Sequence, residues 1–95
     1  MSETGNGNIL VVDDTPQTLQ LLVAILSGAN YTVRPADSGA LALASALAYP
    51  PELVLLDVNM PEMNGFDVCR QLKQNTETQT IPVIFLSGLT DLDER

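Results

Sequence analysis

The chain is poor in positive charge. Four Lys and Arg stand against twelve Asp and Glu in 95 residues, for a formal net charge of −8. A nucleic-acid-binding face needs clustered basic side chains, so this segment is not expected to bind nucleic acid. The same shortage disfavours anionic membrane surfaces. A single cysteine excludes an internal disulfide framework. No apolar run approaches the length that spans a bilayer. No basic start followed by an apolar core opens the chain, so no secretory signal is expected. No glycine-rich turn follows the first apolar run, which removes a dinucleotide-binding reading. A soluble cytoplasmic protein is the expectation. What remains is 45% hydrophobic and of a length that suits one small domain.

The most apolar stretch is Leu53-Val54-Leu55-Leu56, which runs without a polar break into Asp57. It is bounded by Pro50-Pro51 before and by Pro61 and Asn64-Gly65 after. So short a run predicts a strand buried on both faces. Ile9-Leu10-Val11-Val12 likewise runs into Asp13-Asp14. In open parallel α/β sheets, sites form outside the carboxyl ends of strands. If the two strands are neighbours, Asp13, Asp14 and Asp57 converge on one edge.

Residues 1–8 are small and polar and are expected as a flexible leader, with one domain over residues 9–95. Thr15-Pro16 predicts a helix start, with Thr15 as the cap. Leu19, Leu22, Ile25 and Leu26 repeat at helical spacing until Gly28 and Asn30. Tyr31 to Ala36 predicts a second strand. An Ala/Leu-rich helix runs from Ser38-Gly39 to about Tyr49, where Pro50-Pro51 forbids its continuation. Phe66, Cys69 and Leu72 step along a third helix after Gly65. Asn75 to Thr80 reads as polar loop, Ile81 to Leu86 as a fourth strand closing at Ser87-Gly88, and Thr90 with Asp93 as a capping box. Strict alternation of strand and helix predicts a parallel sheet with right-handed crossovers.

Adjacent acids before a helix are also favoured by capping and the helix dipole, so Asp13 and Asp14 alone point to no chemistry. Three converging carboxylates are different. Each pair at about 4 Å costs about 4 kcal/mol at an effective dielectric of about 20. Such crowding calls for a cation, and oxygen donors with room for water suit Mg²⁺. Ser87 ends the fourth strand with a hydroxyl expected at the same edge. Cys69 reads as a small core hydrophobe. Gly65 reads as a turn or helix-start residue.

Ile9 to Pro16, Leu53 to Phe66 and Pro82 to Gly88 together resemble the receiver domain of two-component response regulators. The resemblance covers about Asn8 through Arg95. It implies a flavodoxin-like, CheY-like three-layer α/β/α fold with a parallel sheet in the order 2-1-3-4-5. It implies that Asp57 accepts a phosphoryl group from a sensor histidine kinase or phosphotransfer protein. It further implies that Asp13, Asp14, Asp57 and the backbone carbonyl of Asn59 hold Mg²⁺, and that Ser87 is the switch hydroxyl. A response regulator of this kind controls an output region and is not a turnover enzyme.

The family's last strand carries a lysine and an aromatic switch residue, and the chain is expected to stop before both. Lys73, on the third helix, is no substitute for that lysine. With the last strand and helix absent, the fourth strand would be an exposed edge, and self-association is expected. Two other readings stay open. A receiver fold can serve as a docking module without phosphorylation. An aspartate-nucleophile phosphohydrolase also uses an apolar strand ending in Asp, but its general acid falls at Asn59, which cannot act as one.

Overall fold

A computed structural model describes residues 7–86 of the chain. The elements alternate: β1 (Asn8–Val12), α1 (Pro16–Gly28), β2 (Thr32–Ala36), α2 (Gly39–Ala48), β3 (Leu53–Leu56), α3 (Gly65–Gln74) and β4 (Val83–Phe85). All strand pairings are parallel, and the order is β2-β1-β3-β4. The chain moves from β1 out to β2, then back across β1 to β3 and on to β4. Right-handed crossovers therefore set α1 on one face and α2 with α3 on the other.

The strand registers divide the apolar residues between these faces. Leu10 pairs with Val54 and Val12 with Leu56, and all four are buried in one cluster with Ala42, Ala46, Val68 and Leu72. Ile9 pairs with Leu53 and Val11 with Leu55 on the α1 side. Here β3 departs from the expectation of burial on both faces: Leu53 and Leu55 are only half-buried. The α1 side is thinly covered, since α1 packs on β1 and β2 and buries none of its own residues fully.

Local chemistry explains most boundaries. Ser38 caps α2, its hydroxyl accepting from the Leu41 N–H at 3.1 Å. Asn64 caps α3 by accepting from the Asp67 N–H at 2.9 Å. The expected cap on α1 is not made: Thr15 has no side-chain cap bond, and the Asp13 carboxylate accepts from the Thr15 N–H instead, at 2.8 Å. The fourth strand is shorter than Ile81 to Leu86, because Pro82 has no N–H to give the ladder. Its ends still bond to β3, through Val54 N–H to the Pro82 oxygen and Leu86 N–H to the Leu56 oxygen.

The stretch expected as polar loop after α3 is a folded turn. Thr78 is buried and its hydroxyl donates to the Leu72 oxygen at 2.6 Å. Lys73 Nζ donates to the Gln79 and Ile81 oxygens at 3.2 and 2.7 Å. Ser87, Gly88, Thr90 and Asp93 lie outside the described residues, as does most of the expected leader.

Candidate phosphoacceptor site

The sheet brings the two strand-end acids together. The ladder runs one step past the strands: the Asp57 N–H donates to the Val12 oxygen at 2.9 Å, and the Asp13 N–H to the Ala36 oxygen at 3.1 Å. With Val12 beside Leu56, the next residues on each strand are Asp13 and Asp57. Both are buried, at 5% and 6% exposure. Asp14 follows Asp13, and one carboxylate oxygen from each of the three lies within 4.8 Å of the others.

Burial raises the Asp57 carboxyl above its ordinary value of 3.8, because the charged form loses solvent. The Asp13 charge raises it further, and that of Asp14 adds to the effect. The Asn59 N–H works in the other direction, donating to Asp57 Oδ1 over a long 3.4 Å, with a smaller contribution from the Val58 N–H. Asp57 is thus held partly desolvated and facing like charge.

No described cation relieves this. Arg34 donates to the Ser45 hydroxyl and carbonyl and to the Tyr49 carbonyl, capping the end of α2. Arg70 pairs with Asp67 at 2.9 Å. Lys73 is tied to the carbonyls before β4, at the opposite end of that strand from the site. The donor set is all hard oxygen. Opposed ligands on Mg²⁺ stand about 4.2 Å apart, given bonds of about 2.1 Å. The 4.8 Å span is close enough for one small hydrated cation to bridge. The residues present fit such an ion.

The loop from Val58 to Asn64 closes on itself, with the Gly65 N–H donating to the Val58 oxygen at 3.0 Å. Glu62 takes a left-handed conformation within it, at φ 69°. Two features here escaped the sequence reading. One is the Asp13 bond to Thr15, for which an acid three residues before the proline that opens the helix is the available signal. The other is the packing at Gly65: a Cβ there would lie 2.4 Å from the Asp57 backbone oxygen and 2.9 Å from the Val58 Cα.

Such a site, at the carboxyl edge of a doubly wound parallel sheet, defines a flavodoxin-like α/β domain with an acidic strand-end centre. The sequence model of the "Response regulator receiver domain" matches residues 9–95, and the chain belongs to that family. It is 43% identical over 90 residues to response regulator PleD of Caulobacter vibrioides, covering 95% of this chain and 20% of that protein. It is 40% identical over 94 residues to a probable cyclic di-GMP phosphodiesterase of Vibrio cholerae, covering 99% of this chain and 21% of that protein. The chain thus spans about a fifth of the length of these curated relatives. The N-terminal domain of a receiver protein from Methanoculleus marisnigri superposes with a TM-score of 0.85 at 37% identity, over 87% of this chain and 68% of that one. The chemotaxis protein CheY4 of Vibrio cholerae gives 0.80 at 28% identity, over 90% and 75%. The chain is a response regulator receiver domain of two-component signalling, with the CheY-like fold. Among the described residues, no helix is long and apolar enough to cross a membrane.

Proposed function

We propose that this chain, as one receiver unit over residues 9–95, takes a phosphoryl group onto Asp57 from a sensor histidine kinase or phosphotransfer protein in the cytoplasm. The observation that carries the reading is the buried Asp57 carboxylate within 4.8 Å of two others at the strand edge. In the transfer, an Asp57 oxygen forms a bond to phosphorus as the phosphorus–nitrogen bond of the donor's phosphohistidine breaks. The electron pair of that bond returns to the imidazole, which takes up a proton. Bound Mg²⁺, held by Asp13, Asp14, Asp57 and the Asn59 backbone carbonyl, would neutralise charge on the phosphoryl oxygens. Asp13 and Asp14 also shape where the phosphoryl group can sit, since their charges repel an anion from every approach that lacks the ion.

The product is an acyl phosphate, a covalent mark that water removes. The chain is therefore a switched acceptor and not a turnover enzyme. Ser87, outside the described residues, is the candidate hydroxyl that moves to the phosphoryl group and shifts the balance between two loop conformations. That shift controls an output region.

A docking module that works without phosphorylation is the second reading. It is favoured by the engagement of Arg34, Arg70 and Lys73 away from the site. The two are separated by exposing the protein to Mg²⁺ and a small acyl phosphate, then mapping the modified residue by mass spectrometry. Label on Asp57 that is lost in Asp57→Asn supports the acceptor reading. Label retained in that variant at wild-type levels overturns it, and an unlabelled wild type leaves the docking module.

A further inference from the structure

We propose that Gly65 is a positioning residue for the carboxylate site: only a residue without a side chain lets α3 seat against the Asp57–Val58 backbone, and that seat holds the metal-binding edge in place. The inference rests on the acceptor reading above and deepens it.

The seat is unusually close. A Cβ at position 65 would meet the Asp57 backbone oxygen at 2.4 Å, the Val58 Cα at 2.9 Å and the Asp57 carbonyl carbon at 3.0 Å. All three are backbone atoms, so no side chain can swing away to make room. Relief requires α3 to retreat or the strand end to move. The second course shifts the carbonyl of the residue whose carboxylate belongs to the site. Gly65 is buried, and its N–H ties the same helix end to the Val58 oxygen at 3.0 Å. One residue therefore lies against both positions that precede Asn59 and bonds the second of them. Gly65 does not have a positive φ, so the need for glycine here is one of space and not of backbone conformation.

Other features around α3 separate positioning from plain stability. Asn64 caps the helix through the Asp67 N–H and does not bond the Asp57–Val58 backbone. Its loss weakens α3 without pushing on the site. Gly28, at the end of α1, has nothing within 4 Å of the position its Cβ would take and serves as the neutral glycine control.

The experiment compares wild type, Gly65→Ala, Asn64→Ala and Gly28→Ala in three measurements. These are Mg²⁺ affinity by calorimetric titration, thermal melting, and the amide spectrum of the metal-free protein, read at Asn59. Gly65→Ala is expected to weaken Mg²⁺ by about 10- to 100-fold, the usual loss when a group holding metal ligands in place is changed. It is also expected to shift the Asn59 amide, whose N–H donates to Asp57 Oδ1. Asn64→Ala is expected to melt lower yet bind Mg²⁺ as wild type does, and Gly28→Ala to keep both the affinity and the Asn59 signal. Wild-type affinity in Gly65→Ala, or an equal loss in Asn64→Ala, overturns the proposal.

A further arm needs no variant and decides the matter if Gly65→Ala does not fold. By linkage, an ion that depends on the seat must also stabilise it. Mg²⁺ should therefore slow hydrogen exchange at the Gly65 N–H of the wild-type protein, and unchanged exchange at saturating Mg²⁺ overturns the proposal. If the wild type binds no Mg²⁺ at all, the acceptor reading fails, while the Asn59 shift in metal-free Gly65→Ala still judges whether the seat positions the site.

Discussion

Asp13 and Asp57 stand side by side because the β1–β3 ladder continues one residue past both strands, the Asp57 N–H reaching the Val12 oxygen at 2.9 Å. Neither acid is free to rotate its backbone away from the other. The repulsion between them is therefore built into the sheet. Its cost is one that substitution should reveal.

Asp57→Asn should raise the melting temperature of the metal-free protein at neutral pH. The Asp57 carboxyl is raised above 3.8 by burial first and then by Asp13. A raised carboxyl makes its contribution when protonated, so its stability is fully present below the unfolded value and lost as pH rises through the folded value. At neutral pH the wild type carries the destabilising charged form, and asparagine does not. The advantage should shrink as pH falls through the raised value toward 3.8. Melting curves of both proteins across the acid range in chelator-treated buffer check this. An advantage independent of pH would trace the effect to packing.

Mg²⁺ should stabilise the chain, and Asp13→Asn should blunt the effect. An ion that binds only the folded state adds about 2.7 kcal/mol at one hundred times its dissociation constant. Asn at position 13 keeps an oxygen for the Thr15 N–H, which Asp13 now binds at 2.8 Å, while removing the charge. The metal-free melting temperature should hold or rise, and its dependence on Mg²⁺ should weaken. Unchanged melting of the wild type over a wide Mg²⁺ range would exclude the ion site.

Much of this site was legible in the sequence because its parts are local. An apolar run ending in an acid reads as a strand delivering a carboxylate, and Ile9–Asp14 and Leu53–Asp57 do so in the structure. What failed turned on which partner a side chain finds once the chain is folded, whether near or far in sequence. Thr15 resembles a cap, but its side chain makes no cap bond, and its own N–H donates to the Asp13 carboxylate. Phe66, Cys69 and Leu72 mark the third helix correctly. Yet Val68 is the residue buried beside Leu72, while Phe66 turns outward to Phe85 with ring centroids 5.1 Å apart. Asn75 to Thr80 lies between α3 and β4 as the polar loop expected, but the burial of Thr78 was not legible, because a buried threonine bonded to a helix carbonyl has no local signature.

That turn gives a stability prediction. Thr78→Val preserves shape but removes the stronger of two donors to the Leu72 carbonyl, which keeps only the Asn75 N–H at 3.3 Å. Losing one such bond costs about 0.5–1.5 kcal/mol net. Denaturant unfolding should show a lower midpoint with an unchanged slope, and Mg²⁺ binding should be unaffected, since the turn lies at the far end of β4 from Asp57.

The α1 side of the sheet should mediate self-association of this chain. Val83 and Phe85 pair with Val54 and Leu56 and turn toward α2 and α3, so Ile84, opposite Leu55, turns to the α1 side. There Ile84 is 52% exposed and Ile25 of α1 is 56% exposed, while Leu53 and Leu55 are half-buried. Leu53, Leu55 and Ile84 form an apolar strip across β3 and β4, while Ile25 is exposed on α1 over β1 and β2, and β4 among the described residues pairs only with β3. Each 100 Å² of apolar surface withdrawn from water gains about 2.5 kcal/mol, and an unpaired strand edge adds backbone groups seeking partners. Light scattering at micromolar concentration should therefore detect species larger than a monomer. Ile84→Lys, which places a charge on the strip and the edge together, should return the chain to monomer without loss of Mg²⁺ binding. A monodisperse wild-type monomer with a cooperative melt would show that the exposed strip is tolerated as it stands.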